Sequence, residues 1–515
     1  MNQPTTPSNV IVIGGGFGGL SAAVRMQAAG YQVTLLEKRH QLGGRAGVFE
    51  RKGYRFDTGP TIVTPPFVVE DVFHDVGRNP SEYIELVPIH PHYRLHFADG
   101  SHFDIGTVDE NTEQIKKISP KDIKGYHRWL KLLKPIYELG FEKFAMTSFE
   151  SLWSMAKIVP SAIRLKSYKS VYGLVASNMK HAHLRMAFSF LPLFIGGNPF
   201  TTTSVYSLIA YLESEYGMLW VRGGTHRLVE ALERLFKELG GTIKLNSEVT
   251  TIEVDDKDRK VTGVIVNNKE LYLADIVISN ADVAMTYMSL IDKKYRRKNS
   301  DRRYKKAKYS MSLFMIYFGT KKRYPEMPHH NIIFSPRYKE LVKDIFDRHI
   351  LPEDFAIYLH VPTRTDPELA PEGCETFYAC IPVTHQDSGI DWDQMKEPFR
   401  DKVLQFLDDN YLPGLLENIE VCEVFTPQDF EQEFNAYKGN AFQLQPLMTQ
   451  SGWFRPHNRS RDIKGLYIVG AGTHPGGGVP SAFLSGKVST DLIIEDYGIP
   501  TEEKIKNHIG NGNNG

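Results

Sequence analysis

Apolar positions along this chain switch repeatedly between an unbroken or alternating run and a helical spacing, and the switches fall at glycines. The first is the sharpest: Val10-Ile11-Val12-Ile13 passes at once into Gly14-Gly15-Gly16-Phe17-Gly18-Gly19, and from Leu20 to Ala29 the chain is rich in Ala, Val and Met without a breaker. This pattern predicts a buried strand, a tight turn and a helix that stops at Gly30, with a second strand over residues 32–37. Residues 93–97 and 101–105 alternate around Ala98-Asp99-Gly100 and predict a hairpin. From about 110 to 195 the spacing is mostly helical, with Trp129, Leu132, Leu133 and Ile136 on one face and Pro160 and Gly173 as punctuation. Gly223-Gly224-Thr225 opens another helix whose Leu228, Leu232, Leu235 and Leu239 share a face, and Gly240-Gly241 closes it. Short strands are expected at 243–245, 249–254, 261–266, 271–273 and 274–279, and residues 311–425 mix strand-like and helical runs. Near the end, Leu466-Tyr467-Ile468-Val469 runs into Gly470-Ala471-Gly472-Thr473-His474-Pro475-Gly476-Gly477-Gly478-Val479-Pro480 and then a helical stretch.

The first switch has the chemistry of a dinucleotide site. Gly14, Gly16 and Gly19 occupy the G-x-G-x-x-G positions, which allow the sharp turn, the approach of backbone to a pyrophosphate and the seating of helix on strand. The phosphates would meet the amide-rich N-terminus of the helix. Glu37 closes the second strand at the distance where a carboxylate binds ribose hydroxyls and disfavours a 2′-phosphate, so NADP is not expected. Leu42-Gly43-Gly44-Arg45 follows, and Arg45 is a candidate phosphate contact. The late strand and glycine-rich turn suggest that the cofactor is gripped from both ends of the chain; FAD has the length for such a grip, and a nicotinamide cofactor does not need it.

Bulk properties narrow the remaining classes. A chain of 515 residues should form two or three structural units. Lysine plus arginine and aspartate plus glutamate are 61 each, so no overall field points to nucleic acid. Cys374, Cys380 and Cys422 form neither a disulfide framework nor a zinc spacing, and a reducing interior is expected, with no metal. No secretory signal is read at the N-terminus, and no apolar run reaches the roughly 18 residues of a spanning helix. Two local features stand out. The stretch 187–197, with Phe188, Phe190 and Phe194, is apolar enough to line a substrate pocket or to be ordinary core. The run 293–308 concentrates lysine and arginine around Tyr295 and Tyr304, and could meet anionic lipid headgroups or form a solvated face.

Taken together, Gly14 to Gly19 with Glu37, Gly43-Gly44-Arg45 with Asp57-Thr58-Gly59-Pro60, and the 470–476 turn resemble the carotenoid desaturase family. The likeness is to phytoene desaturases of the bacterial and fungal type, within the flavin amine-oxidase-like superfamily. Ala187-Phe188-Ser189-Phe190 and Gly196-Gly197-Asn198-Pro199-Phe200 point to the carotenoid branch. The resemblance implies an α/β fold: a Rossmann-type FAD-binding domain in segments 9–85, 221–285 and 441–497, and a mixed-sheet substrate domain at 86–110 and 286–440. It also implies a helical substrate-entry and membrane-facing region at 111–200, between tails at 1–8 and 501–515.

By the same resemblance, non-covalent FAD would be held by Gly14, Gly16, Phe17, Gly18, Gly19, Glu37, Lys38, Gly44, Arg45, Gly59, Pro60, Thr61, Val249, Gly470, Gly472, Thr473, His474, Gly477, Val479 and Pro480. Phe188, Phe190 and Phe194 would face a long carotenoid, the basic run would become a membrane foot, and quinone or oxygen would reoxidise the flavin. The implied reaction converts phytoene towards lycopene by loss of hydride and a proton, and no base is identified. His474 is read as structural rather than catalytic. The expected location is cytoplasmic and peripheral to a membrane. Related readings are a diapophytoene desaturase, a hydroxycarotenoid desaturase, a carotenoid oxygenase, or a non-catalytic prenyl-lipid escort protein. An amine oxidase would need an aromatic cage that the sequence does not place.

Overall fold

The computed structural model describes residues 8–147, 153 and 159–500. Apart from Ser8, the expected tails lie outside them. The strand Asn9–Ile13, buried on both faces, sits at the centre of a five-stranded parallel sheet, in the order Leu466–Ile468, Ile276–Ser279, Asn9–Ile13, Gln32–Leu36 and Thr242–Lys244. Its members come from early, middle and late parts of the chain, so the sheet is complete only when the last of them docks. Parallel strands need both faces covered. One face carries the helices Phe17–Ala28, His226–Glu238 and Val479–Tyr497. The other packs against the three-stranded antiparallel sheet of Val249–Val254, Val261–Val266 and Glu270–Leu273 and the helix Val283–Met288.

Helix Phe17–Ala28 begins three residues earlier than the apolar pattern predicts, because Gly18 and Gly19 already lie in its first turn. It is fastened to helix Val479–Tyr497 where Ser21 Oγ donates to the Phe483 carbonyl at 2.8 Å. Gly486 lies so close that a Cβ there would stand 2.5 Å from Ser21 Oγ.

A seven-stranded mixed sheet forms a second layer, ordered Ile419–Phe425, Ser312–Thr320, Glu375–Val383, Ile357–His360, His330–Ile333, Tyr93–His96 and His102–Ile105. The early hairpin thus becomes its edge, joined in parallel through Tyr93–His96 to His330–Ile333. Strand Leu86–Ile89 pairs outside this sheet, with Met218–Val221. Helices of the 108–216 region pack on the hairpin side around Tyr126, Trp129, Leu133 and Phe188. The basic run is not one solvated face: Tyr295 and Tyr304 are buried, Arg296 is buried against Asp301, and Lys294 pairs with Asp256 at 2.8 Å. No described helix is long and apolar enough to cross a membrane.

Candidate functional site

Strand Asn9–Ile13 delivers its C-terminal end to the loop Gly14–Gly16, and this loop opens a continuous cavity of about 950 Å³. Gly14 turns with φ 89°, a conformation that favours glycine, and its carbonyl accepts from Asn280 Nδ2 at 3.3 Å. Glycine is required at Gly19 for space: a Cβ there would lie 2.1 Å from the Gly14 carbonyl oxygen, so helix rests directly on turn. Gly18 approaches the late turn as closely, its Cβ position lying 2.7 Å from the Gly470 nitrogen. The two glycine-rich segments, some 450 residues apart in sequence, therefore face one space. Glu37 is pinned at the end of its strand, Oε2 accepting from Gly15 N–H at 2.8 Å and Oε1 from Arg39 N–H at 2.9 Å. A buried, oriented carboxylate at this point suits a diol, as the spacing predicts.

Most of the sequence-predicted residues line the cavity: Gly14, Gly16, Phe17, Gly18, Glu37, Lys38, Gly44, Arg45, Gly59, Pro60, Thr61, Val249, Gly470, Gly477, Val479 and Pro480. Lys38 reaches across it to the Gln432 carbonyl and Asn435 Oδ1, at 3.0 and 2.8 Å. Arg45 Nη2 donates to the Asn440 carbonyl at 3.2 Å, while its buried Nε has no partner among the described residues. A buried guanidinium nitrogen without an acceptor is the kind of group a pyrophosphate satisfies. With Glu37, the glycine turn and the helix N-terminus, it makes the residues present fit a flavin dinucleotide.

Gly19, Gly472, Thr473 and His474 do not line the cavity; they build its wall from behind. A Cβ at Gly472 would sit 1.9 Å from Gln443 Oε1, and Thr473 Oγ1 donates to the Pro456 carbonyl at 2.6 Å. His474 Nε2 lies 2.9 Å from the Phe144 carbonyl, and burial pulls its imidazole down to about 4. The neutral ring props the turn against residues 144–145, consistent with a structural reading.

Of the three phenylalanines expected on the substrate path, Phe194 lines the cavity. Phe188 packs against Phe103, Tyr126 and Trp129, and Phe190 lies behind Tyr93 and Phe194, so both belong to the core. Their side chains follow the turn between Ala182–Ala187 and Leu191–Ile195 inward, which composition alone could not distinguish from a pocket lining.

Several positioning residues were not legible as such. Arg455 is fully buried and donates to the carbonyls of Thr473, Ala471, Leu444 and Gln450, at 2.9, 2.6, 3.3 and 3.3 Å, so one guanidinium staples the closing turn. Asp57 caps the N-terminus of helix His226–Glu238 through Thr225 and His226 N–H, at 2.8 and 3.2 Å, and burial pushes it up to about 6. Opposite the glycine turns, Tyr358 OH meets Thr61 Oγ1 at 2.7 Å and Tyr378 OH donates to the Gly59 carbonyl at 3.1 Å. Behind Tyr358, His330 Nδ1 lies at 2.8 Å, next to a His329–His360 contact of 2.9 Å. Burial holds all three imidazoles below their ordinary range.

The rest of the cavity is mainly apolar. Leu139, Phe141, Phe144, Val205, Ile209 and Leu212 line it up to a rim where Val159, Ile163, Tyr168 and Met448 are exposed. A polar dinucleotide cradle thus opens into a largely apolar passage.

Comparisons with known proteins agree with this geometry. The profile of the flavin containing amine oxidoreductase family matches residues 17–494. A lycopene-forming phytoene desaturase of Pantoea ananas is 42% identical over 496 residues, covering 96% of this chain and 99% of its own. A neurosporene-forming phytoene desaturase of Rhodobacter capsulatus is 40% identical, covering 94% of this chain and 93% of its own. Among solved structures, an oxidoreductase from Methanosarcina mazei superposes with a TM-score of 0.63 at 18% identity over 94% of this chain and 100% of its own, which speaks to the fold. On the match to the family profile and to these full-length relatives, the chain belongs to the flavin containing amine oxidoreductases, in their phytoene desaturase branch.

Proposed function

We propose that this protein is an FAD-dependent phytoene desaturase that introduces conjugated double bonds into a C40 carotene, carrying phytoene towards lycopene. The observation that supports this reading most directly is the single cavity shared by the two glycine turns and the apolar passage. Bound there, FAD supplies a two-electron oxidant able to accept hydride from an allylic carbon. The protein's own residues would do the positioning: Glu37 the ribose, Arg45 and the helix N-terminus the pyrophosphate, Val249 the adenine end, and Gly59–Thr61 with the 470–480 turn the ring. The apolar walls exclude water and align the chain, which is the larger part of what a hydrocarbon reaction requires.

The flavin is non-covalent in this reading. Among the described residues that line the cavity, Cys380 is the single thiol, and burial pushes it up to about 12, so it stays protonated and unreactive. Substrate enters from a lipid surface that the protein touches peripherally on the cytoplasmic side. This is supported by the apolar rim and by the basic run beside it: Arg303 donates to the carbonyl of exposed Phe454 at 3.0 Å, and Lys308 N–H to Gln450 Oε1 at 2.8 Å. Quinone or oxygen serves as acceptor. Cells that supply phytoene as their sole carotene provide the test: expression should deplete phytoene and yield conjugated pigments on a chromatogram, and purified protein should be yellow with flavin released by acid. Unchanged phytoene would remove the proposal.

A further inference from the structure

The passage that runs from the flavin cradle to the rim is lined by leucine, isoleucine and phenylalanine, with one carboxyl group among them. Glu213, on helix Leu208–Tyr216 next to Leu212, lines the cavity and is 7% exposed. Among the described residues it has one side-chain partner: Tyr93 OH donates to Oε1 at 2.8 Å. Among the described residues no cation offsets its charge, so burial raises it to about 8, with the Tyr93 hydrogen bond pulling the other way. Tyr93 in turn connects this position to the reacting end of the cavity. Its ring stacks on Phe194 at 5.7 Å, Phe194 stands edge-on to Tyr358 at 5.6 Å, and Tyr358 is bonded to Thr61 in the turn assigned to the flavin ring. Burying a carboxyl among hydrocarbon side chains is unfavourable, and one hydrogen bond from Tyr93 satisfies only one of its two oxygens.

We propose that Glu213 accepts the proton released when phytoene is desaturated, a role that rests on the desaturase reading above. In the step, one C–H bond of the substrate breaks and its electron pair leaves with hydrogen to the oxidised flavin. The C–H bond on the adjacent carbon breaks as well, its electron pair forms the new C=C bond, and the proton passes to the ionised Glu213 carboxylate. The substrate loses two electrons and two hydrogens, the flavin is reduced by two electrons, and the carboxylate becomes a carboxylic acid that returns its proton to water at the mouth before the next turn. A carboxylate in low-dielectric surroundings also attracts the positive charge that develops on the allylic carbons.

The ionised form is the working one, so turnover should rise with pH and level off above about 8. The groups that face Glu213 do not complicate this limb. Tyr93 is its direct partner, and His330 and Tyr358 lie behind Tyr93 and are neutral through this range. On its own helix Tyr211 stacks on Tyr137, and exposed Glu215 adds no resolved shift to Glu213.

Three variants test the assignment in flavin-loaded enzyme with phytoene in liposomes. E213Q should keep flavin absorbance and melting temperature, slow a single turnover by about 100-fold or more, and lose the alkaline limb. E213D should recover part of the rate, and Y93F should move the limb to higher pH. Independently of turnover, substrate-free wild type should show an infrared carboxylic-acid band that titrates near pH 8 and is missing in E213Q. A Glu213 variant with wild-type turnover, an unmoved limb in Y93F, or no titrating band overturns the role of Glu213. Wild type that leaves phytoene unchanged overturns instead the desaturase reading on which the role depends.

Discussion

Gly18→Ala isolates the contact that joins the two ends of the chain. The backbone at Gly18 has an ordinary helical conformation, so alanine meets no torsional strain, and in a helix it should gain up to about 1 kcal/mol over glycine. The new methyl, however, would lie 2.7 Å from Gly470 N, 3.0 Å from Gly470 Cα and 2.8 Å from Asn280 Oδ1. The Asn280 amide can swing aside, but the Gly470 backbone cannot, so the two turns must part by roughly 0.7 Å to reach ordinary contact. Overpacking of this kind costs about 1–3 kcal/mol. If that cost falls on the cradle, the Kd for FAD should rise by about 5- to 150-fold. Titrating FAD into apoprotein by fluorescence quenching measures the affinity, and melting of the apoprotein separates it from global stability. A variant that binds FAD as well as wild type, with a raised melting temperature from the helix gain alone, would refute the claim that these turns are pressed together.

Arg455→Met should strand four carbonyls, two of them buried, and destabilise the protein by about 3 kcal/mol, read by urea unfolding, with lysine restoring only part because it lacks the planar fork. Acid should weaken the fold: His329, His330, His360 and His474 are held low by burial, His329 down to about 3 and His474 to about 4, so the unfolded chain takes up protons below about pH 6.5 that the native chain refuses. Buried Glu213 and Asp57, raised to about 8 and about 6, act in the opposite sense but are outnumbered by the imidazoles, so stability should fall as pH drops from 6 to 5; a flat urea midpoint over that range would count against the burial of these imidazoles. Ile163→Asp combined with Tyr168→Asp should leave the melting temperature unchanged, since both side chains are exposed, but should lower partition into anionic liposomes by roughly tenfold per residue in co-sedimentation. Unaltered partition would move the lipid contact elsewhere.

How much of this could be read from the sequence depended on how local each signal was. The strand, turn and helix from Asn9 to Ala28 are written in neighbouring residues, and Glu37 follows within one βαβ unit. The order of the parallel sheet is not local, because the neighbours of Asn9–Ile13 include a strand at Ile276–Ser279, and nothing in either segment names the other. The 187–194 stretch divided for a related reason: Phe188 and Phe194 have the same chemistry and differ only in which way the turn throws them, the first into the core and the second onto the cavity. Glu213 was concealed by its neighbours, since Glu-Ser-Glu-Tyr on a helix reads as a solvated face until the helix is rolled against the cavity. Arg455 gave no spacing signal at all, because its four acceptors are backbone.

The fastening of helix Phe17–Ala28 to helix Val479–Tyr497 has a consequence for how the protein is made. The two halves of that contact emerge from the ribosome far apart in time: at about 5–20 residues per second, the first helix waits roughly half a minute to a minute and a half for its mate. Through that interval the face of the first helix that will meet Val479–Tyr497 is uncovered, and once Ile276–Ser279 has paired with the central strand its own outer edge stays open until Leu466–Ile468 arrives, so a nascent chain would benefit from a chaperone there. Stop codons a few dozen residues early would therefore remove more than a tail: they would leave the oldest part of the protein permanently unfinished.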